Sequence, residues 1–182
     1  FGGIPTRKYG RRNTLIWIGI FYSISAVGSA LANDPITFAV FRFIGGVGVG
    51  VSGIAAPAYI SEIAPAKNRG KLVGFYQFNL VTGILVAFLS NYLLSGIGEN
   101  DWRYMMGVEA IPAILYTLLV LSIPKSPRWL YLNNQKDKAE KIIRDAYSKN
   151  DADELIIEIT RDKESNVESE SIFQKKYSFI LT

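Results

Sequence analysis

Phe41-Arg42-Phe43-Ile44-Gly45-Gly46-Val47-Gly48-Val49-Gly50, running on to Pro57-Ala58-Tyr59-Ile60-Ser61-Glu62, decides how this chain folds. Residues 35–61 form one apolar run whose only charge is Arg42. Crossing a bilayer as helix takes about 20 such residues. Burying an arginine in hydrocarbon costs at least ~2.5–3.5 kcal/mol on insertion scales, so a segment that keeps one faces a polar pathway or an acidic partner. The glycines after Arg42 remove side chains and let a neighbouring backbone approach closely. They do not make a dinucleotide fingerprint, which needs a preceding strand and a helix start at the phosphate.

The rest of the chain is built around this run in two unequal parts. Of 20 basic and 16 acidic side chains, residues 1–124 hold nine and five, and 125–182 hold eleven of each. The net charge of +4 therefore belongs to the apolar part. Its cations lie in short clusters between apolar runs rather than on one polar face, which is a membrane pattern and argues against nucleic acid. No cysteine or histidine is present. That excludes disulfides, thiolate nucleophiles, zinc–thiolate sites and imidazole chemistry. Separately, no metal, no cofactor and no enzyme activity is expected. The chain opens without an initiator methionine and closes on Tyr177-Ser178-Phe179-Ile180-Leu181, the start of another apolar run, and so reads as a fragment.

Four spans are predicted: 13–32, 35–61, 72–95 and 102–124. The first has no charge at all, and Asn33-Asp34-Pro35 breaks it. The third extends a charge-free run from Leu72 to Gly98, in which Gln77, Asn79 and Asn91 are the strongest polar groups. The fourth opens at Trp102-Arg103 and carries one internal charge, Glu109. A soluble four-helix bundle is disfavoured, because soluble helices keep a polar face. Basic clusters at 7–12, 67–71 and beyond 125 alternate with loops at 33–35 and 95–101 that lack lysine and arginine. By the positive-inside rule, 1–12, 62–71 and 125–182 are cytoplasmic, and the protein is a multi-pass protein of the cytoplasmic membrane. After Pro124, Ser126 and Pro127 form a helix start. Lys136–Tyr147 and 151–165 read as amphipathic helices too polar to span, followed by a linker.

Depth pairs Arg42 with Glu109. Each lies seven residues inside a helix that begins at the outer face, or roughly 10 Å at 1.5 Å per residue. Side by side, each lowers the other's cost of burial. The pair is either a static bridge or a carboxylate whose proton affinity depends on a nearby arginine, which is the physics of proton coupling. Gln77 offers amide donors and an acceptor suited to sugar hydroxyls, or else an interhelical hydrogen bond. At the cytoplasmic ends Arg11, Arg12, Glu62 and Arg69 are positioned for an ion-pair network. If solvated it contributes little to stability, but it can latch one conformation against another.

These residues resemble the sugar porter family of the major facilitator superfamily, most closely its bacterial xylose–proton symporter type. Gly2-Gly3 with Gly10-Arg11-Arg12 is similar to the family's loop between helices 2 and 3. Arg42 with its glycines, Pro57-Ala58-Tyr59-Ile60-Ser61-Glu62-Ile63-Ala64-Pro65 and Arg69-Gly70 are similar to its helix 4 signature. Trp102-Arg103 and Pro124-Lys125-Ser126-Pro127-Arg128-Trp129-Leu130 are similar to the two ends of its helix 6. The resemblance implies an all-α polytopic fold: helices 3 to 6 of a twelve-helix transporter, with 1–124 a partial N-terminal bundle and 125–182 its intracellular helices and linker. It implies symport of a monosaccharide, pentose or hexose, with protons by alternating access. Gln77 would bind sugar, Arg42 and Glu109 would couple protonation, and the bilayer and the remainder of its own chain would be the partners. A facilitative uniporter, a non-transporting sugar sensor and an inactive truncated remnant are the alternatives. Three departures stand out: Arg7 replaces an acid or asparagine, Lys125 replaces a glutamate, and Ile84 stands where the xylose type has a second glutamine.

Overall fold

A computed structural model of the chain describes Thr6 and residues 9–161. Gly2-Gly3, Arg7, the linker after 161 and the apolar stretch 177–181 lie outside the described residues. The described chain is helical: α1 (Arg11–Leu31), α2 (Pro35–Ile63), α3 (Ala66–Leu94), α4 (Asp101–Val108), α5 (Ala110–Ser122), α6 (Pro127–Leu132), α7 (Lys136–Ala146) and a last helix, α8, over 149–161. By length and composition α1, α2, α3 from Lys67, and α4 with α5 are long and apolar enough to cross a membrane. They run alternately up and down, so the basic segments gather at one end of the bundle and 33–35 and 95–101 at the other.

Local chemistry sets the boundaries. Asp34 accepts a 2.8 Å hydrogen bond from the Thr37 N–H and caps α2, with Pro35 in the first turn. Hydrogen bonds from Thr37, through its side chain and its backbone, hold the Asp34 carboxyl below its usual range. At the basic end Ala64 is extended before Pro65, as a residue preceding proline must be. Helix α3 then starts at Ala66, six residues earlier than predicted. The charges of 66–71 suggest a loop, but alanine, lysine and arginine are strong helix formers. Gly96, with φ of 80°, turns the chain out of α3.

The fourth predicted span, 102–124, is one membrane-length stretch over Asp101–Ser122 with an interruption that the sequence reading did not include. It is broken at Glu109 into α4 and α5. Pro112 is the cause: it has no N–H to give the Val108 carbonyl, and its ring crowds that carbonyl.

Helix α1 is the centre of the bundle, packed between α2 and α5. Leu15 and Ile18 of α1 meet Ala55 and Tyr59 of α2 and Val120 of α5 in one core. The glycine run of α2 divides by face. A Cβ on Gly45 would lie 2.4 Å from Ser25 Oγ, whereas around Gly46, Gly50 and Gly53 there is open space. Close approach is thus required at one edge of the run and not along all of it. Two arginines bind the ends of α1 and the α4–α5 pair. Arg12, in the first turn of α1, donates to the Leu121 carbonyl at 2.6 Å. Arg103, in the first turn of α4, donates to the Ala30 carbonyl at 3.1 Å and to Asn33 Oδ1 at 3.2 Å. Each places a cation on the negative end of the antiparallel neighbour's dipole.

A second core lies at the basic end, where α6, α7 and α8 enclose Leu130, Tyr131, Ala139, Ile143 and Leu155. Ser126 caps α6 by accepting from Trp129 N at 3.2 Å. The unit is fastened to the bundle by the Tyr147 hydroxyl, which donates to the Ile63 carbonyl, and burial pushes that phenol's pKa up. Ile143 has no exposed surface. An Ile143→Ala variant is expected to lose about 2–5 kcal/mol of local stability. The expected readout is faster amide exchange across α7; unchanged protection there would mean that the cluster is not a cooperative core.

Candidate functional site

Arg42 and Glu109 meet as their depths require. Arg42 Nη1 lies 3.0 Å from Glu109 Oε2. The other arm of the guanidinium rests on the Met106 sulfur, and its carbon stands 5.7 Å from the Phe38 ring centroid. Both charged side chains keep partial exposure, 34% and 44%, because they border a cleft. The interruption at Glu109 puts the carboxylate next to the Val108 carbonyl, which Pro112 leaves without its helical donor.

The cleft has a volume of about 730 Å³ and is formed by four helices, each lending one stripe. Arg42, Gly45 and Val49 recur at helical spacing on α2, and Glu109, Ala113 and Tyr116 do so on α5. Tyr22 and Ser25 line it from α1, and Asn79 and Gly83 from α3. The small residues create the space, and the polar ones face it. Tyr22 and Tyr116 meet edge to face with centroids 6.4 Å apart, and Tyr22 Oη is 2.9 Å from Ser52 Oγ.

Gln77 is not in this cleft. It is exposed on α3, which is turned so that Asn79 and not Gln77 faces Arg42. Ile84, seven residues on, shares Gln77's face and is 50% exposed. The two therefore look onto a surface that the described helices leave open.

The four charges at the basic end do not join in one network. Arg11 binds Glu62, with Nη2 to Oε1 at 2.8 Å. Glu62 is 9% exposed, so it is buried and not solvated at an interface, because α6 folds over it. Its second oxygen accepts from Ser126 Oγ at 2.7 Å. Arg12 turns to the Leu121 carbonyl. Arg69 pairs with Glu158 of α8 at 2.8 Å and donates to the Ser61 carbonyl at 3.1 Å. Lys125 lies 6.0 Å from the Trp129 ring centroid, a cation–π contact. Gly10 is needed here twice over: its φ is 83°, and a Cβ would lie 3.2 Å from the Trp129 indole.

Ser126, Glu158, Tyr22 and Tyr116 were not singled out from the sequence. The sequence around Ser126 signals only a cap, and Glu158 lies 89 residues from its partner. The tyrosines did carry a signal. Tyrosine belongs at the membrane interface, and Tyr22 stands in mid-span.

Comparison with known proteins agrees with this architecture. The family profile of sugar (and other) transporters matches residues 1–180. The D-xylose-proton symporter of Escherichia coli K12 is 37% identical, over 79% of this chain and 34% of that protein. The arabinose-proton symporter of the same organism is 37% identical, over 79% of this chain and 30% of that protein. Among solved structures, the partially occluded inward-open xylose transporter of E. coli superimposes with a TM-score of 0.81 and 35% identity, covering 88% of this chain and 42% of that one. The proton:xylose symporter bound to 6-bromo-6-deoxy-D-glucose gives a TM-score of 0.82 at 34% identity, covering 90% and 40%. The chain spans about a third of the length of the curated relatives it matches. With four membrane-length helices, an arginine–carboxylate pair in their midst and a profile match along nearly its whole length, the chain belongs to the sugar transporter family of the major facilitator superfamily.

Proposed function

We propose that this chain is part of a proton-coupled monosaccharide symporter of the cytoplasmic membrane, with its basic end in the cytoplasm. The observation that carries the reading is the Arg42–Glu109 pair, one charge in the interior of each of two spans, in contact and bordering a cleft. Here the carboxylate borders the cleft, and a proton added to it would remove the charge that attracts Arg42. The relatives named for xylose and arabinose symport support a pentose or hexose as cargo. Gln77 would contact the sugar from the open face of α3, its amide matching hydroxyls that both donate and accept. Arg11, Glu62 and Ser126 would hold the cytoplasmic ends together in one conformation, and Arg69 with Glu158 would tie α8 to that latch.

The test is uptake by the full-length protein in proteoliposomes. With the lumen one pH unit more alkaline, sugar is expected to concentrate about tenfold for one proton per sugar, since one pH unit is about 1.4 kcal/mol. Collapsing the gradient should leave equilibration only. Uptake indifferent to the gradient would make the protein a facilitator, and no flux at all a sensor or remnant.

A further inference from the structure

A serine or threonine hydroxyl inside a helix commonly donates to a carbonyl one turn back. On α1 Thr14 and Ser23 do so, as do Thr82 of α3 and Thr117 of α5. Ser25 does not. Its side chain is 4% exposed and has no hydrogen-bond partner among the described residues. What exposure it keeps is to the cleft, which it lines. A buried hydroxyl left without a partner is costly, so it calls for one that this conformation does not supply. The side chain is directed at α2, where a Cβ on Gly45 would lie 2.4 Å from Ser25 Oγ. Gly45 is three residues after Arg42, so the Cβ positions of the two are about 5–6 Å apart on one face of α2. An arginine side chain is long enough to bridge that gap. In this structure Arg42 leans the other way, towards Phe38 one turn outward, with its guanidinium on Met106 and Glu109. Of the cleft's other neutral polar groups, Tyr22 is bonded to Ser52, Asn79 is exposed, and Tyr116 lies seven residues inward of Glu109. Ser25 is the one that stands against the turn of α2 next to Arg42.

We propose that Ser25 is a second anchor for Arg42, unused while Glu109 is ionised and taken up when Glu109 is protonated. The proposal rests on Glu109 being a proton carrier, as argued above. With a proton on Glu109 the guanidinium is a partly buried cation without a counter-charge, and it turns to an acceptor within reach. The Ser25 oxygen has lone pairs to offer, and hydrogen bonds from a charged donor are the stronger class. Arg42 then has two positions, outward on Glu109 and inward on Ser25, and the proton selects between them. One proton joins a Glu109 oxygen, one hydrogen bond opens and another closes. Ser25 takes no proton and touches no sugar; it is a positioning residue that acts through Arg42. Few other groups around Glu109 titrate. Arg42 faces it from α2, Tyr22 from α1 and Tyr116 from α5, and Tyr76 of α3 stands near both phenols. Phenols titrate at about pH 10, well above any pH used in the experiment. The competing explanation is that Ser25 is small only to let α1 and α2 approach.

The experiment follows sugar uptake against external pH for the full-length protein in proteoliposomes, with the lumen held one unit more alkaline. Wild-type uptake is expected to fall as pH rises and Glu109 loses its proton. Without the inward acceptor the protonated state is harder to reach. In Ser25→Ala the falling limb should therefore move to lower pH by about one unit, the tenfold in proton concentration that makes up for one charge-assisted hydrogen bond. On the acid side of the limb its rate should stay within about twofold of wild type. Ser25→Cys keeps the volume but is a weak acceptor, so its limb should move the same way. Ser29→Ala is the control: Ser29 is buried one turn away and also lacks a partner, but it does not line the cleft, and its limb should stay in place. A Ser25→Ala limb at the wild-type position overturns the second anchor while leaving symport intact. A wild-type limb in Ser25→Cys overturns it too, since volume and not the acceptor would then matter, and so does an equal shift in Ser29→Ala. Wild-type uptake that ignores both pH and gradient overturns the symport reading and the anchor with it.

Discussion

A Glu109→Gln variant of the full-length transporter is expected to exchange sugar but not concentrate it. Glutamine has nearly the shape of a protonated glutamate and can still accept a hydrogen bond from Arg42, 3.0 Å away. It cannot lose or gain a proton. The site is then fixed in an imitation of the protonated state, with the arginine charge unneutralised beside the break between α4 and α5. Under a one-unit pH gradient the concentration ratio should fall from about tenfold to one, the whole of the ~1.4 kcal/mol that the gradient supplies per proton. Counterflow should stay within about threefold of wild type, because exchange requires only that the sugar site face both sides in turn. Normal accumulation by this variant would reduce the Arg42–Glu109 pair to a structural bridge.

The second large effect is expected at the basic end. Removing one member of the Arg11–Glu62 pair, by Glu62→Leu or Arg11→Met, leaves the other charge stranded. Glu62 is almost fully enclosed and Arg11 mostly so. Breaking such a pair costs about 3–5 kcal/mol, and the partial exposure of Arg11 argues for the lower figure. Ser126 also loses its acceptor when Glu62 goes. The double variant Arg11→Met with Glu62→Leu should regain most of that loss, because two apolar side chains no longer carry a desolvation penalty. Thermal unfolding of the full-length protein in detergent, run as a double-mutant cycle, checks this. Losses that simply add would show that the two residues act separately.

The large features were legible from the chain because bilayers impose strict rules. A run without charge from Asn13 to Ala32 has one economical solution, and the alternation of basic and acidic loops gives direction to every span. The depth of Arg42 and Glu109 followed from counting residues, since helical rise is constant. What stayed hidden depends on tertiary contact or on competition between local rules. Pro112 was visible, yet its effect falls on the Val108 carbonyl four residues back, and the break therefore appears at Glu109. The cations at 67–71 signalled a loop by charge and a helix by propensity, and the helix prevailed. Arg69 reached Glu158 and not Glu62 because α8 folds beneath the bundle, and no spacing in the sequence reveals that. Gln77 and Asn79 are two residues apart, and only the rotation of α3 decides which of them faces the cleft.

Arg12 and Arg103 carry a mechanical implication. Each grips the far end of the helix against which its own helix lies, so α1 and the α4–α5 pair are fastened top and bottom in opposite senses. Sliding one past the other by even a single turn, about 5.4 Å, would pull both grips apart at once. The two grips thus resist that slide together, one at each end. The same two contacts leave α3 out: neither grip reaches it, and the described residues bury nothing of its membrane stretch.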